Sequence, residues 1–332
     1  MYYIYMDSGT TNTRVYLLNE FELVDGTSVA VGTKDSAISG SNDVLLYAMK
    51  QCCDELLNKN GLQYENVEQM WISGMVTSHF GFAEVEHVST PVDAKKLLEH
   101  VYVYEENELF KRKMYLICGA KTAQPDQIID TLNIDKMNNV RGEEIEAVGM
   151  VATGILPEDE DCVMISPGSH THICHVVNGA IVDIISNFTG ELNYAIQQDT
   201  ILAGELSEEE VPMEKEYVKR GYEYLKEYGI CRALYVIHAT RIFDVCSDEV
   251  RSQILSGIIS GSVIELLAKK IEKDWKNVKR IVIIGNKSYI ESYRILCEIL
   301  IPNIPATIVD SYNGKSFALC GFLELLKRSK NE

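Results

Sequence analysis

The sequence predicts an α/β protein of two lobes, the second repeating the first. Strand-length apolar runs recur at 70–76, 114–118, 162–166, 173–177 and 180–185, with helix-period stretches between several of them. The chain has 332 residues, 46% of them hydrophobic; single cores stop growing at roughly 250–300 residues. Two segments far apart in sequence, around 7–14 and 167–172, each read as a strand, a turn rich in Gly, Ser and Thr, and a returning strand.

The elements follow in order. Residues 2–6 form an apolar, aromatic strand, and Val15-Tyr16-Leu17-Leu18 is its return after the polar turn. Over 43–59, Val44, Leu45, Met49, Cys52, Leu56 and Leu57 share a helical face, and Gly61 supplies the stop. A helix over 142–153 precedes the acidic loop Leu156-Pro157-Glu158-Asp159-Glu160-Asp161, taken as the boundary between lobes 1–155 and 156–332. Near the end, Arg280-Ile281-Val282-Ile283-Ile284-Gly285-Asn286-Lys287 is a buried-strand run leading into a glycine turn and a helix over 289–299, and 312–328 reads as a closing helix.

Charge excludes some function classes. With 31 basic and 49 acidic residues the chain carries −18, a field that repels nucleic-acid backbones and anionic lipid. The nine cysteines are scattered without a Cys-x-x-Cys pair, as suits a reducing compartment. The N-terminus lacks the basic region of a secretory signal, and no apolar run nears the roughly 18 residues that span a bilayer. These features predict a cytoplasmic protein with neither nucleic acid nor membrane as partner; a homodimer is compatible with them.

In Asp7-Ser8-Gly9-Thr10-Thr11-Asn12-Thr13-Arg14, Gly9 lets backbone amides approach a phosphate, and Thr10, Thr11 and Asn12 add short donors. Asp7 repels phosphate but can hold a magnesium ion through water. The rival reading is an ordinary polar β-turn, which favours the same residues. The second turn, Ser166-Pro167-Gly168-Ser169-His170-Thr171-His172, would offer amides and hydroxyls from across a cleft. Its rival is a zinc site of His170, His172 and Cys174 with adjacent His175. Between the turns, Arg141-Gly142-Glu143-Glu144 opens a helix; Glu143 is the candidate base for a hydroxyl acceptor, against the alternative of an acidic first turn serving the helix dipole. Ile72-Ser73-Gly74-Met75-Val76-Thr77-Ser78, which follows a strand and carries another glycine turn with hydroxyls, is a weaker signal.

Taken in order, these segments, with Ser73-Gly74-Met75-Val76-Thr77-Ser78, Phe188-Thr189-Gly190-Glu191-Leu192, His238-Ala239-Thr240-Arg241 and Leu255–Gly261, resemble the 2-keto-3-deoxygalactonate kinase family over nearly the whole chain. The resemblance implies a two-lobed actin-like ATPase fold, ribonuclease H-like in each lobe, with an interlobe cleft. It implies transfer of the ATP γ-phosphate, with Mg²⁺, to the terminal hydroxyl of a 2-keto-3-deoxy sugar acid, namely 2-dehydro-3-deoxygalactonate to its 6-phosphate. ATP would meet Gly9, Thr10, Thr11, Asn12, Gly168, Ser169 and His170, with Gly285 and Asn286 near the adenosine. The sugar acid would meet Arg14, Ser73, Arg141, Glu144, His172 and Arg241, and Asp7 and Glu143 would be catalytic. The chain departs from the family at Ser8, where a Trp is usual, and at His172, where a Lys is usual. Loss of that lysine favours the alternative, an actin-like ATPase or regulator without sugar kinase activity.

Overall fold

The computed structural model describes residues 1–331 and divides them into two compact units. The first holds Met1–Glu158, Gly179–Ile184 and the C-terminal segment from Ser311; the second holds Asp159–Asn178 and Ile185–Asp310. The division after Glu158 falls within the acidic loop, but the last helix lies in the first unit and not with 159–310.

In chain order, the first unit opens with β1 (Tyr2–Ser8), β2 (Thr13–Asn19), β3 (Glu22–Val29), α1 (Thr33–Ser39), α2 (Asp43–Lys59) and β4 (Val67–Gly74). It continues through β5 (Val88–Ser89), α3 (Ala94–Glu99), β6 (Tyr102–Glu106), β7 (Arg112–Leu116), β8 (Ala120–Lys121), β9 (Asn139–Val140) and α4 (Glu143–Ala152). Its main sheet runs β3-β2-β1-β4-β7-β6, an antiparallel meander followed by parallel β4 and β7 and an antiparallel edge. The small sheet β5-β8-β9 has no counterpart in the sequence reading.

Next come β10 (Cys162–Pro167), β11 (Thr171–Val177), β12 (Ala180–Asn187), α5 (Gly190–Asp199), α6 (Lys215–Ile242), α7 (Asp248–Lys273), β13 (Arg280–Ile284), α8 (Ile290–Leu300) and β14 (Ala306–Val309). The second sheet runs β12-β11-β10-β13-β14, with β13 parallel to β10 and β14 parallel to β13. Its order repeats β3-β2-β1-β4-β7, so the duplication expected from the two turns extends to sheet topology. The last helix, α9 (Phe317–Asn331), packs on α4 in the first unit.

Aromatic β1 is buried on both faces, as a central strand requires. Tyr5 stacks on Phe322 of α9 with ring centroids 4.4 Å apart, and Trp71 of β4 lies against the same ring. The second core joins Val163, Ile165, Ile281 and Ile283 to Val263, Leu267, Tyr293 and Leu296. Beside it, Ile196, Leu202, Ala233, Ile237, Ile254 and Ile258 form a helical cluster. Among the described residues no helix is long and apolar enough to cross a membrane.

Candidate active site

The first turn is closed from inside. Antiparallel pairing sets Asp7 opposite Arg14 and Ser8 opposite Thr13, and Gly9 N–H donates to the Asn12 carbonyl at 2.9 Å. Ser8 Oγ and Thr13 Oγ1 share a buried hydrogen bond of 2.8 Å, and Thr13 Oγ1 donates onward to the Val31 carbonyl at 2.8 Å. The Gly9 and Thr10 carbonyls accept from Thr33 N–H (3.2 Å) and Lys34 N–H (2.9 Å). The N–H groups of Thr10, Thr11 and Asn12 take no part in these bonds, which tie the turn carbonyls back to the start of α1. Gly32 makes this approach possible: a Cβ there would lie 2.4 Å from the Thr10 carbonyl carbon and oxygen.

Carboxylates gather at the same end of the sheet. Parallel pairing sets Asp7 beside Ser73 and Ser8 beside Gly74. Gly74 (φ +85°) passes under the Ser8 carbonyl, and Gly142 (φ +120°) lies over Gly74, carrying the start of α4 to the ends of β1 and β4. Burial pushes the Asp7 carboxyl up to about 6; Arg14, with Nη1 at 3.6 Å from Oδ2, opposes the shift, and the charge of nearby Glu143 adds to it. Glu143 accepts from the Arg141 backbone N–H at 3.1 Å. Asp7, Arg14 and Glu143 are thus brought together.

Three other expected substrate contacts are engaged inside the unit. Ser73 is fully buried, its hydroxyl 2.6 Å from Tyr5 Oη. Glu144 is buried and receives Gly142 N–H at 3.0 and 2.8 Å; burial, with Glu143 second, pushes its carboxyl up to about 8. Arg141 is buried as well, donating from Nη1 to the Thr77 carbonyl (2.7 Å) and hydroxyl (2.6 Å) and from Nη2 to the Val85 carbonyl (2.7 Å). Its Nη2 also lies 3.2 Å from His87 Nδ1, and burial followed by the Arg141 charge lowers His87 to about 4. Both terminal nitrogens of Arg141 hold the 75–87 segment, so in this structure the polar groups of these three side chains are bonded within the unit.

The second turn repeats the construction of the first. Gly168 N–H donates to the His170 carbonyl (2.9 Å), and Glu191 N–H, just inside α5, donates to the Ser169 carbonyl (2.9 Å). A Cβ on Gly190 would lie 2.1 Å from the Gly168 carbonyl oxygen. Thr171 Oγ1 lies 2.8 Å from Thr189 Oγ1 and 2.9 Å from Tyr293 Oη, fixing the turn to α8. His170 is half exposed, 3.8 Å from Glu191 Oε1, while His172 Nδ1 lies 2.9 Å from Ser186 Oγ. His175 points to the other face of β11, pairing with Asp161 and stacking on Trp275, so the histidines do not converge. Among the described residues no group of three or more His, Cys, Asp or Glu could hold a metal ion. Gly285 (φ +142°) bonds the Val309 carbonyl at 2.8 Å, Asn286 beside it is exposed, and Arg241 is exposed on the last turn of α6.

Sequence reasoning missed Gly32 and Tyr293, and gave Thr189 no role beyond its place in a family-like segment. The available signal was positional: a glycine follows the third strand of each meander, at Gly32 and at Gly190.

A family model described as 2-keto-3-deoxy-galactonokinase matches residues 7–313. Among solved structures, one provisionally named a 2-dehydro-3-deoxygalactonokinase, from Sinorhizobium meliloti, superposes with a TM-score of 0.74 at 18% identity, covering 99% of this chain and 96% of that one. The activator of 2-hydroxyisocaproyl-CoA dehydratase from Clostridium difficile, with bound ADPNP, gives 0.51 at 14% identity over 100% and 96%. Component A of (R)-2-hydroxyglutaryl-CoA dehydratase from Acidaminococcus fermentans gives 0.50 at 14% over 99% of each chain. No curated protein sequence matches.

Proposed function

The chain belongs to the 2-keto-3-deoxy-galactonokinase family, and we propose that this kinase moves the γ-phosphoryl group of ATP to the terminal hydroxyl of a 2-keto-3-deoxy sugar acid, 2-dehydro-3-deoxygalactonate giving its 6-phosphate. The observation that carries the reading is the placement of Asp7 and Glu143 beside a turn whose carbonyls are tied back to the start of α1.

The residues present fit a nucleotide phosphate chain. Amides at Thr10, Thr11 and Asn12, and the turn Gly168-Ser169-His170, suit phosphate oxygens, and the turn at Gly285 with exposed Asn286 suits the adenosine. Asp7 would hold Mg²⁺ through water, an ion that neutralises phosphate charge when bound. Glu143 would orient the acceptor hydroxyl and take its proton. Arg14 steadies the Asp7 carboxylate, and the exposed Arg241 and partly buried His172 are the cationic or protonatable groups offered to the sugar-acid carboxylate.

The test is incubation with ATP, Mg²⁺ and a panel of 2-keto-3-deoxy acids, following ADP. Release that requires one of the acids, with a phosphorylated product, is expected. Release at the same rate without any acid would sink the sugar-kinase reading in favour of an ATPase.

A further inference from the structure

We propose that the outward face of α6 beyond Gly229, with the turn that follows it, is the surface on which two copies of this chain associate. At Gly229 the backbone leaves the helical region (φ 73°, ψ 168°), so 230–242 is a separate helical segment. It buries Ala233 and Ile237 in the cluster with Leu202, Ile254 and Ile258. The opposite side carries Cys231, Tyr235, His238 and Ile242, spaced by four, three and four residues and hence on one face. Tyr235 is 59% exposed, Ile242 64%, and in the turn beyond, Phe243 77% and Val245 68%. Ile201, 70% exposed, stands on the neighbouring short helix 201–205, which is pinned to α6 by the 2.8 Å bond between Glu205 Oε1 and His238 Nδ1.

Area and charge favour a second copy as the occupant. Taking roughly 150–250 Å² for a large side chain, these five expose on the order of 600 Å². With Cys231 and Arg232 at the rim, that approaches the ~800 Å² per partner of a stable interface. The whole chain carries −18, so most of its surface repels another copy. Residues 230–247 hold two arginines, Arg232 and Arg241, against the single Asp244, which makes this stretch an exception. An isologous two-fold contact would pack the face on itself with Tyr235 near its centre, matching the aromatic enrichment of interface cores.

The test is sedimentation velocity of the full chain over a micromolar concentration series, independent of any catalytic reading. A species with the mass of two chains is expected. The double variant Tyr235→Glu/Phe243→Glu should sediment as one chain while keeping its circular dichroism and thermal midpoint. A short bismaleimide should join two chains of wild type through Cys231, and neither Cys231→Ser nor the double variant should give that product. A wild-type monomer at every concentration, or a dimer undiminished in the double variant, overturns the proposal. If the double variant misfolds, loss of the cross-link in Cys231→Ser alone still decides whether that face meets its copy.

Discussion

Asp7 sits where burial and the neighbouring Glu143 oppose its ionisation, which moves its carboxyl to about 6. If the carboxylate is the working form, kcat/KM falls about tenfold per pH unit below that value; a flat profile down to pH 5 would separate Asp7 from the chemistry. Folding raises this pKa above its ordinary value, so stability linked to Asp7 is fully present below about pH 4 and is lost as pH rises through about 6. Asp7→Asn should therefore lower turnover by roughly 10³-fold while raising the thermal midpoint at pH 7.5. Glu144 obeys the same sign over a wider window, with stability lost as pH rises from about 4.5 through about 8. Glu144→Gln, a neutral isostere of the protonated acid, should flatten the dependence of thermal midpoint on pH across that range. Ser8 shows why a departure in sequence need not undo a site: it is buried and closes the turn through Thr13, so a small hydroxyl residue serves as an internal tie.

The elements act on the chemistry by holding backbone. Gly32 and Gly190 each stand after a third strand and let a helix start press against a turn, with N–H groups from Thr33 and Glu191 on the turn carbonyls. A methyl group at Gly32 must push Thr10 and Thr11 aside. Since a displacement of about 1 Å can cost 10²-fold in rate, Gly32→Ala should reduce kcat/KM for ATP by about that factor; an unchanged value would show that the turn does not set phosphate geometry. The turns were legible because their polar residues are contiguous, and α2 was legible from its one-sided apolar spacing and the Gly61 stop. The braces were not, because Gly32 touches Thr10 only once β3 has brought the chain back. That Ser73, Arg141 and Glu144 are bonded inside the unit was not legible for a similar reason. Their residue types suit a ligand, but burial against Tyr5, Thr77 and Gly142 is a property of the packed unit.

For the whole molecule, a charge of −18 sets a field that opposes anionic ATP and sugar acid. Raising ionic strength to about 0.15 M shortens the screening length to about 8 Å, so kcat/KM should rise with salt at fixed magnesium; a fall would show that local cations outweigh the field. The sequence by itself determined the α/β class, the strand-turn-strand units at both ends of the duplication and the family resemblance. Each of these is written in residues close together along the chain. Tertiary structure decided that the last helix packs on α4 in the first unit, that Glu143 lies beside Asp7, and that glycines distant in sequence brace both turns. Those outcomes depend on which surfaces meet once the backbone has closed, because burial and close approach arise from contacts between segments and local composition does not specify them.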